Sequence, residues 1–247
     1  MNVLADMPRR KRLRIAGLPL HIVQRGVNRA RCFDGDGDRY LYLSLLEEIS
    51  ARHACRLHAY VLMTNHVHLL MTPDVAGAAS VVMKHLGQQY VQTFNRTRSR
   101  TGTLWEGRFR SSIVDSDAYL FHCHQYIELN PVRARIAVHP ADYAWSSYRA
   151  NALGQACPLL SPHPLYLSLA PTPSERQYAY QALFGAAALK ADDSKSIRDA
   201  LKSGLPLGRP GFVRQLQEVL EQQTQRGRDG RPKGRKSARS SIRETGV

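Results

Sequence analysis

The chain has no paired cysteines. Cys32, Cys55, Cys123 and Cys157 are widely spaced, with no Cys-x-x-Cys among them, which argues against a zinc ribbon. The N-terminus has no apolar leader, and no apolar run approaches the length needed to span a bilayer. The expectation is a cytoplasmic protein with reduced thiols and no membrane partner. Acidic residues are scarce: 20 Asp and Glu face 35 Lys and Arg in 247 residues, a net charge of +15. Such an excess favours polyanions, and nucleic acid is the commonest of them. The run Asp34-Gly35-Asp36-Gly37-Asp38 looks like a calcium loop but lacks the later bidentate Glu of an EF-hand. Helix capping is the better reading of it.

The basic charge is unevenly placed. Arg9, Arg10, Lys11, Arg12 and Arg14 make an arm near the start. The last 24 residues carry eight basic side chains against two acidic ones, leaving +9 of the +15 on the rest. Alternating residues predict strands at 18–25, 57–63, 66–71 and 108–114, with a hairpin at Thr64-Asn65. Helical spacing predicts helices at 39–53, 76–95 (Val82, Leu86, Tyr90 and Phe94 in one stripe) and 117–130. The order β-α-β-β-α-β-α is that of a ferredoxin-like antiparallel sheet with packed helices, an α+β fold. Residues 1–16 read as a basic arm, 17–150 as the main domain, and 151–223 as a proline-rich connection and helical extension. Helical stretches fall near 174–189, 194–202 and 212–223. Residues 224–247 read as a disordered basic tail.

His66-Val67-His68 sits inside an otherwise apolar strand. Residues two apart share a strand face, so the two imidazoles project side by side. They are either a metal-binding pair or two histidines on the wet face of a half-buried sheet. The helix at 117–130 groups His122, Tyr126 and Asn130 in one row, with Leu120, Cys123 and Ile127 placed to dock it. Tyrosine is a competent covalent nucleophile when a base or cation assists it, and an amide oxygen four residues on could reach a metal held by the histidines. The bland readings are a core tyrosine, a structural or surface His122, and an Asn130 that caps a short helix starting at Pro131.

Four stretches carry a resemblance: residues 21–29 (His21 to Arg29), 60–70 around His-Val-His, Leu104-Trp105-Glu106-Gly107-Arg108-Phe109, and Tyr126-Ile127-Glu128-Leu129-Asn130-Pro131-Val132-Arg133-Ala134. Asp142-Tyr143-Ala144-Trp145-Ser146-Ser147-Tyr148 continues it. In this order the chain resembles the REP-associated tyrosine transposases, single-tyrosine members of the HUH endonuclease superfamily, over roughly residues 14–189. The resemblance implies that His66 and His68 bind a divalent metal (Mg²⁺ or Mn²⁺) and that Tyr126 is the nucleophile. Asn130 stands where insertion-sequence relatives usually carry Gln as a third ligand, one methylene longer. The implied chemistry is cleavage and rejoining of single-stranded DNA through a 5′-phosphotyrosine, at hairpins of repetitive extragenic palindromes. The repeat-associated branch is expected to act as a monomer, although insertion-sequence relatives are dimers, and to sit on the nucleoid when bound to DNA.

The DNA would meet the basic arm, Arg25, Arg29, Arg108, Arg110 and Arg133 at its phosphates. Trp105 is a candidate to stack a base. Two other classes compete: a nucleic-acid-binding protein that kept the fold and lost cleavage, and a metallo-hydrolase using an activated water. For the second, no Asp follows His-x-His at the spacing such enzymes use. For the first, the four site residues would be superfluous.

Overall fold

The computed structural model describes residues 14–185 and 190–229. Arg9, Arg10, Lys11 and Arg12, and the tail beyond residue 229, lie outside the described residues. Four strands, β1 (Leu20–Arg25), β2 (Cys55–Met63), β3 (His66–Pro73) and β4 (Arg110–Ile113), form one sheet in the order β2-β3-β1-β4. Every neighbouring pair is antiparallel. β3 therefore lies between β1 and β2 and splits the unit closed by α1 (Asp36–Arg52). α2 (Ala78–Thr97) carries the chain from β3 to β4, and α3 (Ser116–Glu128) follows. The α+β architecture and the β-α-β-β-α-β-α order read from the residue pattern both hold.

The pleat assigns the two faces. Leu20 and Ile22 of β1 and Val67, Leu69 and Met71 of β3 turn toward α1 and α2. There they meet Tyr42, Leu46 and Ile49, and the whole predicted stripe Val82, Leu86, Tyr90 and Phe94. Burying each such side chain contributes roughly 1.5–3 kcal/mol. The aspartate run starts α1: the Asp38 carboxylate accepts from the backbone N–H groups of Asp34 (2.8 Å) and Gly35 (3.4 Å). It is held in turn by Arg98, 2.6 Å away. The motif thus serves to cap α1, as its spacing suggested.

On the other face Val61, Met63 and Leu70 pack against Leu120, Cys123, Tyr126 and Ile127 of α3. Ile197, Ala200 and Leu201 of α8 (Ala191–Ser203) join the same cluster. Both sheet edges are covered, which removes a template for strand addition. Leu62 N–H donates to the Trp145 carbonyl and Ser147 N–H to the Tyr60 carbonyl along β2. Leu207 N–H donates to the Ile113 carbonyl along β4.

Several boundaries differ from the sequence reading. β4 begins at Arg110, so Arg108 stands in the preceding loop. The proline-rich stretch holds two short helices, α5 (Tyr148–Leu153) and α6 (Pro164–Leu167), because Pro164 stands in the first turn, where its missing N–H costs nothing. α7 (Pro173–Ala182) opens on a capping box between Thr172 and Glu175. α9 (Pro210–Asp229) continues past residue 223 into the stretch read as tail. No helix among the described residues is long and apolar enough to cross a membrane.

Candidate functional site

The α3 face of the sheet carries the histidines. Antiparallel register sets His66 opposite Arg25 and His68 opposite Val23, and on β4 Arg110 lies opposite Val23. His66 and His68 project side by side, with ring centroids 5.1 Å apart. His21, two residues before Val23, points to the same face and shares a 2.9 Å hydrogen bond between its Nε2 and Nδ1 of His68. Its own Nδ1 is buried without a partner.

The third helix brings Tyr126 onto this patch. Leu120, Cys123 and Ile127 are fully buried beneath it, as their spacing predicted. The Tyr126 ring stands edge-on to His68 and to His21, each with centroids 5.6 Å away, in the same chain. It is 7% exposed. α3 ends at Glu128, and a short helix, α4 (Asn130–Arg133), turns away around Pro131. Leu129, not Asn130, occupies the capping place, and no side chain makes a cap bond there. The Asn130 side chain instead interacts with that of His66. Arg133 at the end of α4 folds back over Tyr126: its guanidinium lies 4.1 Å from the ring centroid. Its Nη2 donates to the Tyr126 carbonyl at 2.5 Å.

Burial keeps the imidazoles neutral. It lowers His66 to about 4, with the Arg25 charge adding to the effect. It lowers His21 to about 3, with help from Arg133. His68 is held well below the ordinary histidine value by burial first and by His21 and His66 next. Neutral imidazoles are the form that ligates metals. Tyr126 is raised by burial, while Arg133, Arg198 and Arg25 pull it back down. The site thus surrounds a reluctant phenol with cations.

Among the described residues, no three His, Cys, Asp or Glu side chains cluster so as to hold a metal by themselves. The donor set the patch offers is two imidazoles and one amide. His122 does not join it and packs edge-on against Tyr119, 5.7 Å between centroids.

The candidate DNA-contacting residues divide. Arg25 and Arg110 are exposed on the strands that carry the site, and Arg133 lies at the surface over Tyr126. Arg29 and Arg108 are exposed in loops. Arg14 is exposed too, but it lines a cleft of about 570 Å³ with Arg52, His53 and Lys84 beside the start of α2. Trp105 does not offer a stacking surface: it is 6% exposed and packs against Tyr90 and Tyr42 with centroids 6.0 and 6.4 Å away. A bridge between Gly26 and Trp105 draws the indole inward, so an aromatic in a polar loop became core.

Three contributors were not singled out from sequence. His21 stands at a strand position of the same parity as Val23 and Arg25, and that parity was the available signal. Asn65 was read only as a turn residue, yet its Oδ1 lies 2.7 Å from Nδ1 of His66. Arg198 approaches Tyr126 only because α8 folds back over the sheet, and nothing local announces that.

Residues 15–130 match the family model described as "Transposase IS200 like". No curated protein matches the chain. Among solved structures, a REP-associated tyrosine transposase bound to a REP hairpin is similar at 17% identity and a TM-score of 0.52. The likeness covers 64% of this chain and 93% of that one. A candidate transposase from Deinococcus radiodurans R1 is 18% identical, covering 52% of this chain and 92% of that one, with a TM-score of 0.34.

Proposed function

We propose that this chain, whose residues 15–130 match the family model of the IS200-like transposases, is a metal-dependent single-stranded DNA endonuclease and strand transferase. Its substrates would be hairpins of repetitive extragenic palindromes, and Tyr126 its nucleophile. The observation that carries the reading is the meeting of Tyr126 with His68 and His21 on one face of the sheet, with Asn130 joined to His66. No packing requirement explains three histidines, a tyrosine and an amide gathered on one sheet face under a cover of arginines.

His66, His68 and Asn130 are the residues that would hold the metal. Two neutral imidazoles and an amide oxygen suit Mn²⁺ by ligand type, or Mg²⁺ with several waters retained. A divalent ion there would polarise the scissile phosphate. Asn is one methylene shorter than Gln, and the interaction of the Asn130 side chain with His66 supports a place for it at the metal.

Tyr126 attacks the phosphorus, the Tyr–O–P bond forms, and the bond to the 3′ oxygen breaks. The proton lost from the phenol is balanced by the one gained by the released 3′-hydroxyl. The bond is conserved as a 5′-phosphotyrosine, so a 3′-hydroxyl can reverse the step. Arg133, Arg198 and Arg25 favour the ionised phenol and the phosphate charge together. The adjacency of His68 and Tyr126 within one chain supports a monomer as the acting form.

The test incubates the protein with a labelled single-stranded repeat hairpin and Mg²⁺ or Mn²⁺, then looks for a denaturant-resistant adduct. The expected result is an adduct that Tyr126→Phe abolishes. Cleavage surviving Tyr126→Phe would overturn the reading in favour of a hydrolase, and binding without cleavage would leave a DNA-binding module. Asn130→Asp should retain more activity than Asn130→Ala, since a carboxylate still offers an oxygen.

A further inference from the structure

Resting on the metal-site reading above, we propose that Asn65 is a positioning residue that fixes the tautomer of His66 and so aims its Nε2 lone pair into the site. The hairpin turn Thr64-Asn65 lies against the turn that follows β1. Gly26 N–H donates to the Asn65 carbonyl and Cys32 N–H to the Thr64 carbonyl, both at 2.9 Å. Between these two bonds the Asn65 side chain bridges the turns. Its Nδ2 donates to the Arg29 carbonyl at 3.2 Å, and its Oδ1 faces Nδ1 of His66 at 2.7 Å.

The direction of each bond follows from what the groups can do. A backbone carbonyl only accepts, so the Asn65 nitrogen must face Arg29; the reverse orientation would set two oxygens against each other. The oxygen is then left toward His66 and can only accept, so the proton of the neutral ring sits on Nδ1; Asn130, whose amide can present either its oxygen or its nitrogen, then meets the ring as a donor in the metal-free protein. Nε2 keeps its lone pair, which is the state a metal ligand needs.

The Arg29 carbonyl that anchors this relay is presented by an unusual backbone. Asn28 and Arg29 both adopt the left-handed region, with φ of 51° and 60°, and Arg29 N–H closes back onto the Gly26 carbonyl at 3.0 Å. Arg29, a candidate phosphate contact through its side chain, therefore also acts through its carbonyl. His68 has no such device: either ring could donate in the His21–His68 bond, so its tautomer is not set by an outside acceptor.

The experiment uses the full chain, metal-free, with ¹⁵N-labelled histidine, and reads the His66 tautomer from the nitrogen shifts, assigned with His66→Gln. The wild type should show Nδ1–H. Asn65→Ala should release His66 to the Nε2–H form or a mixture, whereas Asn65→Asp, which loses the bond to the Arg29 carbonyl but keeps an acceptor toward His66, should retain Nδ1–H. Mn²⁺ affinity, followed by paramagnetic resonance, should fall about 10- to 100-fold in Asn65→Ala. Both variants lose the side-chain bond to Arg29 but keep the backbone bonds of the turn, and a cooperative unfolding transition in each would verify that they fold. Retention of pure Nδ1–H in Asn65→Ala would overturn the inference. If instead His66→Gln binds Mn²⁺ as tightly as the wild type, the metal-site reading fails, and the tautomer measurement still stands on its own.

Discussion

Replacing Glu128 by Gln should make the protein gain on the wild type as pH rises. Glu128 is the last residue of the tyrosine helix and is wholly buried. Ser147 and Asn151 donate to its Oε1 at 2.5 and 2.9 Å, and Tyr180 donates to its Oε2 at 2.7 Å. Those bonds favour the carboxylate, but burial outweighs them and raises the group from 4.5 to about 7. Between those values the folded protein holds a proton that the unfolded chain releases, so stability falls as pH rises and the full penalty is present above the folded value. The gap is worth about 3 kcal/mol, of which roughly 2.5 kcal/mol falls between pH 5 and 8. The wild-type profile alone will not display this. His21 and His124 are lowered by burial to about 3, and His58 and His66 to about 4. They add stability above the unfolded histidine value and lose it as pH falls, the opposite sign. Glu128→Gln shares those histidines, so the difference between the two proteins isolates the carboxyl. Urea unfolding across pH 5 to 8 should show the Gln variant gaining roughly 2–3 kcal/mol on the wild type at constant slope in urea. A difference that is flat or runs the other way would refute the reasoning, because Glu128 would then ionise in the folded state without cost.

Other perturbations separate the roles of named residues. Trp105→Ala should cost about 3–5 kcal/mol in urea unfolding and leave single-stranded DNA affinity unchanged under conditions where both proteins are folded. A selective loss of affinity would return Trp105 to the DNA surface. Gly26→Ala would set a Cβ 2.2 Å from the Ala30 carbonyl oxygen and should destabilise by about 1–3 kcal/mol, a cost that a wild-type unfolding midpoint would exclude. Arg25→Ala and Arg110→Ala should each reduce the slope of log affinity against log salt by about 0.7 on single-stranded DNA. Unchanged slopes would mean that neither side chain neutralises a phosphate.

Much of the site was legible because strand and helix periodicities are local. Alternation put His66 and His68 on one face, and the four-residue spacing put Tyr126 and Asn130 on one side of the same turn of chain. Charge scarcity of one sign pointed to a polyanion before any fold was known. The placement of Trp105 was misread, since a bulky aromatic in a Gly- and Arg-rich loop carries no local mark of burial. Its fate depends on the Tyr42 and Tyr90 rings that meet it from two helices.

By itself, then, the sequence determined the element order, which residues share a face, and the candidate chemistry of His66, His68 and Tyr126. The tertiary structure alone decided that these faces oppose one another in one chain, and that Asn130 turns onto His66 rather than capping a helix. It also recruited His21 and Arg198, 45 and 132 positions from His66 in the chain, and oriented the neighbouring Asn65 through the Arg29 carbonyl, 36 positions away. The physical reason is range. Dihedral preference and side-chain parity act over a few residues, whereas strand register, turn-to-turn hydrogen bonds and the return of α8 are set by the whole buried core.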